Sequence, residues 1–103
     1  MSAISPVLLF AASLAINVAE TLPNFDVERN CQVDINAMGS PRYQGVPQCV
    51  AEERSAQAEI EKQWADFPAE LRDRCISETQ IGGSPSYVDV LECLRFGASQ
   101  KPE

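Results

Sequence analysis

Residues 46–67 read VPQCVAEERSAQAEIEKQWADF, and this stretch decides the fold. From Pro47 to Asp66 it holds no glycine and no second proline, and its apolar residues fall at Val46, Cys49, Val50, Ala56, Ile60, Trp64 and Phe67. That is the three-and-four spacing of one helical face, so the pattern predicts a helix over 47–66. Pro47 suits the first turn, where an absent N–H leaves nothing unpaired. Glu59 and Lys62 stand three residues apart and form one outward charge pair. Phe67 precedes Pro68, which pushes it out of helical geometry and ends the element.

Downstream, a second helix is predicted from Pro68 to about Thr79, with Asp66 as its cap and Leu71, Cys75 and Ile76 on its buried side. Gly82 and Gly83 break it. A third helix is predicted from about Pro85, with Ser84 as N-cap, to Phe96, with Gly97 in the favoured place just past the end. Its residues Tyr87, Val88, Val90, Leu91, Cys93 and Leu94 form a broad apolar face. No segment alternates as a strand does. The expectation is an all-α domain of about three helices over 46–97, followed by a flexible tail, 98–103.

Upstream, residues 20–45 are interrupted by Pro23, Gly39, Pro41 and Gly45 and read as an irregular arm. One short helix is expected in it, capped by Asn24 and ending at Cys31 or Val33, with Phe25, Val27 and Cys31 apolar. The stretch 38–45, MGSPRYQG, reads as a loop. Residues 6–16, PVLLFAASLAI, form an uncharged apolar run of signal-peptide length, too short to span a bilayer comfortably. Small residues follow, placing cleavage after Ala15 or Ala19 and a signal peptide over 1–19. The region before the run, MSAIS, carries no Lys or Arg, so the alternative is a retained anchor or an apolar helix packed on the domain.

Four cysteines, Cys31, Cys49, Cys75 and Cys93, all lie beyond that run, separated by 18, 26 and 18 residues. An even number behind an export-like leader implies two structural disulfides in a periplasmic or secreted protein. Cys49 lies about 27 Å along the first predicted helix from the Phe67 turn, whereas the second climbs back only about 18 Å, so Cys49 and Cys75 do not meet. Cys75 and Cys93 fall at similar height across the Gly82-Gly83 connection. The preferred pairing is therefore Cys31 with Cys49 and Cys75 with Cys93. Cys49 with Cys93 and Cys31 with Cys75 remains the alternative. No CxxC pair exists, and the wide spacing does not supply a zinc site, so no metal or cofactor is expected.

The formal charge is −7, from 8 basic and 15 acidic residues, every one of them beyond Val18. Scattered bases among so many acids argue against nucleic acid and against an anionic membrane surface as partners. The chain has no histidine, the commonest general base and metal ligand, and no catalytic constellation stands out, so a non-catalytic role is expected.

Three features remain as candidates. Glu53 falls on the apolar stripe between Cys49 and Ala56, where a carboxylate must be paired or tuned; the choice is a catalytic acid or a structural ion pair with Arg72 or Arg74. Trp64 reads as core, with ligand stacking as its alternative. Gly82, Gly83, Ser84, Ser86 and Tyr87 form a Gly-rich loop opening onto a helix N-terminus, which can hold an anion through free amides and the helix dipole. The plainer reading is a tight turn, a serine cap and a packed tyrosine.

The segments CVAEE (49–53), QWADF (63–67), RC (74–75), GGSPSYV (82–88) and LECL (91–94) together resemble a group of small exported, cysteine-containing bacterial proteins of unknown function. The resemblance spans about Cys49 to Leu94 and implies export and a disulfide-stapled helical domain. It implies no activity. The expected function is a protein-interaction or inhibitor-like module whose partner is an envelope or extracellular protein. The alternative is a small-ligand or anion-binding protein using the loop 82–87.

Overall fold

The structure, a computed structural model, describes residues 21–38 and 45–100. The expected signal peptide, most of the expected 38–45 loop and residues 101–103 lie outside them. The described residues form α1 (Val27–Met38), α2 (Val46–Gln63), a single 3₁₀ turn (Trp64–Asp66), α3 (Ala69–Thr79) and α4 (Tyr87–Ser99). No strand occurs among the described residues, and the domain is all-α.

The stretch that decides the fold behaves as its periodicity requires. α2 buries Cys49, Glu53, Ala56 and Ile60, Pro47 sits in its first turn, and Trp64 continues the stripe into the 3₁₀ turn. Phe67 adopts extended geometry before Pro68, and α3 starts directly after the proline. The expected cap from Asp66 is not made: Pro68 holds the N-cap position, and no side chain satisfies the first amides.

α3 runs back antiparallel to α2, and α4 lies between them. Cys75 is bonded to Cys93 and Leu71 meets Gly97, so α3 and α4 run in opposite directions. Glu53 bonds Tyr87 and Glu59 faces Arg95, so α2 and α4 run the same way. The core gathers Ile60, Trp64, Phe67, Leu71, Val90, Leu91 and Leu94 between these three helices.

α1 is longer than expected and starts later. Asp26, not Asn24, caps it, its Oδ1 accepting from the Arg29 N–H at 3.2 Å, and the helix continues to Met38. It packs on the first half of α2 through Val27 and Cys31, and Glu28 pairs with Arg54 at 3.2 Å. Both ends of that pair are exposed, so it adds under about 1 kcal/mol. The expected pair Glu59–Lys62 forms at 3.5 Å and is equally superficial.

Two disulfides tie the elements in the preferred pattern. Cys31–Cys49 joins α1 to the start of α2, with Cα atoms 5.8 Å apart. Cys75–Cys93 joins α3 to α4, with Cα atoms 5.6 Å apart. Each closes an 18-residue separation, worth about 3 kcal/mol in the chain-entropy account. Among the described residues no helix is long and apolar enough to cross a membrane.

Candidate functional site

The residues singled out by sequence converge at the start of α4. The helix begins two residues later than expected, at Tyr87, and its N-cap is Ser86 rather than Ser84. The cause lies in what grips the chain before it. The Ser86 N–H donates to Thr79 Oγ1 at 2.9 Å, and the same hydroxyl donates to the Ser86 carbonyl at 3.3 Å. This closes the 80–86 loop on the last residue of α3 and holds Ser86 extended, with φ −138° and ψ 131°. Gly82 lets the loop turn, with φ 81°, a left-handed conformation that glycine alone adopts at no steric cost.

Glu53 completes the arrangement from α2. Its Oε1 accepts from the Tyr87 N–H at 2.6 Å and its Oε2 from the Ser86 hydroxyl at 2.6 Å. Ser86 Oγ in turn accepts from the Asp89 N–H at 3.3 Å. A buried carboxylate therefore sits on the positive end of the α4 dipole and satisfies first-turn donors that would otherwise lack partners. The expected ion pair with Arg72 or Arg74 is not formed: both oxygens of Glu53 are turned to the helix start. Hydrogen bonds to an ionised group are the stronger kind, and here they join α2 to α4.

Tyr87 is fully buried and ties in the N-terminal arm. Its hydroxyl donates to the Pro23 carbonyl at 2.8 Å and accepts from the Phe25 N–H at 2.8 Å. Gln57 Nε2 reaches the same oxygen at 3.4 Å, and the Phe25 ring stacks on the tyrosine ring at 4.5 Å. Burial raises the Tyr87 pKa above its ordinary 10.0, outweighing the Phe25 hydrogen bond that pulls it down. Asn30 of α1 adds a bond to the Pro85 carbonyl at 3.2 Å.

The loop 82–87 thus already carries an anion at its helix N-terminus, the chain's own Glu53. The amides of Ser86, Tyr87 and Asp89 are engaged, while Gly82 and Gly83 stand exposed on the far side. From sequence, Ser86 and Tyr87 belong to one candidate loop and Glu53 stands apart, and nothing in the spacing joins it to them. Sequence reasoning missed Pro23, Phe25, Gln57 and Thr79 as their partners, since nothing local marks contacts so far apart in sequence. The four cysteines hold the frame around this network and are all paired.

A second feature lies at the opposite end of the bundle. A groove of about 490 Å³ opens between the start of α3 and the end of α4, lined by Phe67, Leu71 and Gly97 and by the charged Asp66, Glu70 and Arg74. Phe96, which precedes Gly97 in sequence but does not line the groove, is 68% exposed. Phe96 shares an outward stripe of α4 with Asp89 and Glu92, at intervals of three and four residues.

Compared with known proteins, the chain matches no family model, no curated protein and no solved structure.

Proposed function

We propose that this is an exported, non-catalytic protein-interaction module, working in the periplasm or outside the cell and presenting the outward face of α4 to a protein partner. Two disulfides fit an oxidising compartment. The reactive-looking groups at the start of α4 support the non-catalytic reading, because Glu53, Ser86 and Tyr87 are spent on holding three segments together.

The observation that carries the proposal is Phe96. A large aromatic side chain left in water on a disulfide-anchored helix binds at little further entropic cost, and such residues are frequent anchors at interfaces. Asp89 and Glu92 on the same stripe, in a chain of net charge −7, favour a partner whose apolar pocket is rimmed by Lys or Arg.

The test is affinity capture from an envelope extract with the oxidised protein and with Phe96→Ser. One stoichiometric partner, retained by the parent and lost by a variant of equal thermal stability, is the expected result. Equal recovery by both proteins, or none by either, overturns the proposal.

A further inference from the structure

A second groove, of about 350 Å³, runs along the side of the bundle between α2 and α4. On the α2 side it is lined by Glu52, Ser55, Ala56 and Glu59. On the α4 side the lining is Val88, Leu91, Glu92 and Arg95. Each set is spaced i, i+3, i+4, i+7, the stripe that one helix offers to another over about two turns. The two helices run the same way, and Glu59 lies 3.9 Å from Arg95, so the stripes stand in register with Glu52 level with Val88. Ala56 and Leu91 are buried and Val88 is partly buried, and together they make an apolar floor. Two matched stripes with an apolar floor between them form the seat of a further helix, whose own apolar ridge lies in the groove.

The walls say what that helix carries. Arg95 answers Glu59, which also meets Lys62 at 3.5 Å. Glu52 and Glu92 are exposed, and among the described residues neither has a cation within ion-pair distance. They stand on opposite walls, so a helix laid along the floor meets a carboxylate on either side. The complement is Lys or Arg flanking the ridge on both sides, as at the edges of a coiled-coil seam. The chain's own apolar run, 6–16, has no charged residue to offer, and a second copy brings a net charge of −7 to an acidic face.

We propose that the α2–α4 groove seats an amphipathic helix of a protein partner, with its apolar ridge on Ala56, Val88 and Leu91 and its flanking Lys or Arg residues on Glu52 and Glu92. A helix seated there belongs to the partner that Phe96 anchors, and so rests on the reading of this side of the molecule as a protein-binding face.

The experiment titrates the full-length oxidised protein with a capped peptide of about 18 residues made of Ala, Leu and Lys, long enough to be helical. Its leucines follow the i, i+3, i+4, i+7 spacing and its lysines flank them. One control scrambles the order at equal charge, and another replaces each lysine by glutamate. At an ionic strength of about 0.1 M, where distant charges are screened, the patterned peptide is expected to shift the ¹H–¹⁵N signals of Ser55, Ala56, Leu91 and Glu92 saturably, and the controls to leave them in place. Glu52→Gln combined with Glu92→Gln changes two exposed side chains and is expected to weaken binding about fivefold, each exposed charge pair being worth a factor of about two. No saturable shift, equal binding of either control, or parental affinity in the double variant overturns the proposal. So do nuclear Overhauser contacts to the groove from residues 6–16 or from a second copy. The peptide titration needs no native partner and does not depend on Phe96. A groove that takes no helix therefore leaves the Phe96 capture standing, and a failed capture beside saturable peptide binding removes the anchor alone.

Discussion

At the scale of single residues, Tyr87 joins the start of α4 to the N-terminal arm. Its hydroxyl completes the hydrogen bonding of two arm backbone groups, Pro23 and Phe25, more than sixty residues away. Tyr87→Phe keeps the ring stacked on Phe25 but leaves that N–H and that carbonyl enclosed without partners, a cost of about 1–3 kcal/mol. Chemical denaturation is expected to show this loss as a lower midpoint at unchanged slope. The pH dependence has a definite sign. Because the folded pKa lies above 10.0, the unfolded chain gives up the phenolic proton first. The tyrosine's contribution is therefore intact below pH 10.0 and is lost as pH rises through the folded pKa. The parent should lose stability through that alkaline range more steeply than Tyr87→Phe. Parallel curves for the two proteins would show that the hydroxyl is not the titrating group.

At the scale of elements, the end of α4 shows why a glycine can mean two things. Gly97 reads from sequence as a helix terminator, yet α4 runs through it to Ser99, and its φ is not positive. The residue is small because α3 passes close by. A Cβ at position 97 would stand 2.3 Å from Leu71 Cδ1 and 3.2 Å from its Cγ. Replacing a mid-helix glycine by alanine gains about 1 kcal/mol from propensity alone, whereas overpacking a buried leucine costs about 1–3 kcal/mol. Gly97→Ala is therefore expected to destabilise by about 1 kcal/mol, and to become stabilising when Leu71 is already alanine, a reversal that a double-mutant cycle measures. The same comparison separates what was legible in the sequence from what was not. α2 and α3 were legible because apolar spacing and Phe67-Pro68 are local signals. The helical class was legible because no segment alternates as a strand does, whereas element lengths excluded only Cys49 with Cys75 and left two pairings open, of which the structure forms the preferred one. The start of α4 was misplaced by two residues because Ser84-Pro85 is a good local cap, and it lost to Thr79 and Glu53, which act on Ser86 from other helices. The Glu53 network was illegible because a charged residue on an apolar face demands a partner, but the face does not say which.

At the scale of the whole molecule, a core this small supplies about 3–5 kcal/mol, so the two cross-links rival it as a source of stability. They differ in exposure. Cys31 and Cys49 are both buried beneath α1 and the start of α2, whereas Cys93 is half-buried on the outer side of α4. Exchange requires a thiolate to reach a sulfur in line with the bond, so access sets the order. One effect opposes it. Glu78 Oε1 lies 3.6 Å from Cys93 Sγ, and its charge repels an approaching thiolate. Glu78 is exposed, however, and its field is screened at ordinary salt, while burial at Cys31–Cys49 is not relieved by salt. Under limiting dithiothreitol, alkylation followed by peptide mapping should find Cys75 and Cys93 modified first, with Cys31–Cys49 intact. Added salt should accelerate that first step, as should Glu78→Gln at low salt. The singly reduced form is expected to lose about 3 kcal/mol and remain helical, and loss of the second bridge to remove a similar further amount. Prior or simultaneous opening of Cys31–Cys49 would mean that local access does not govern the order, and that the domain unfolds as a unit before either bond is cut.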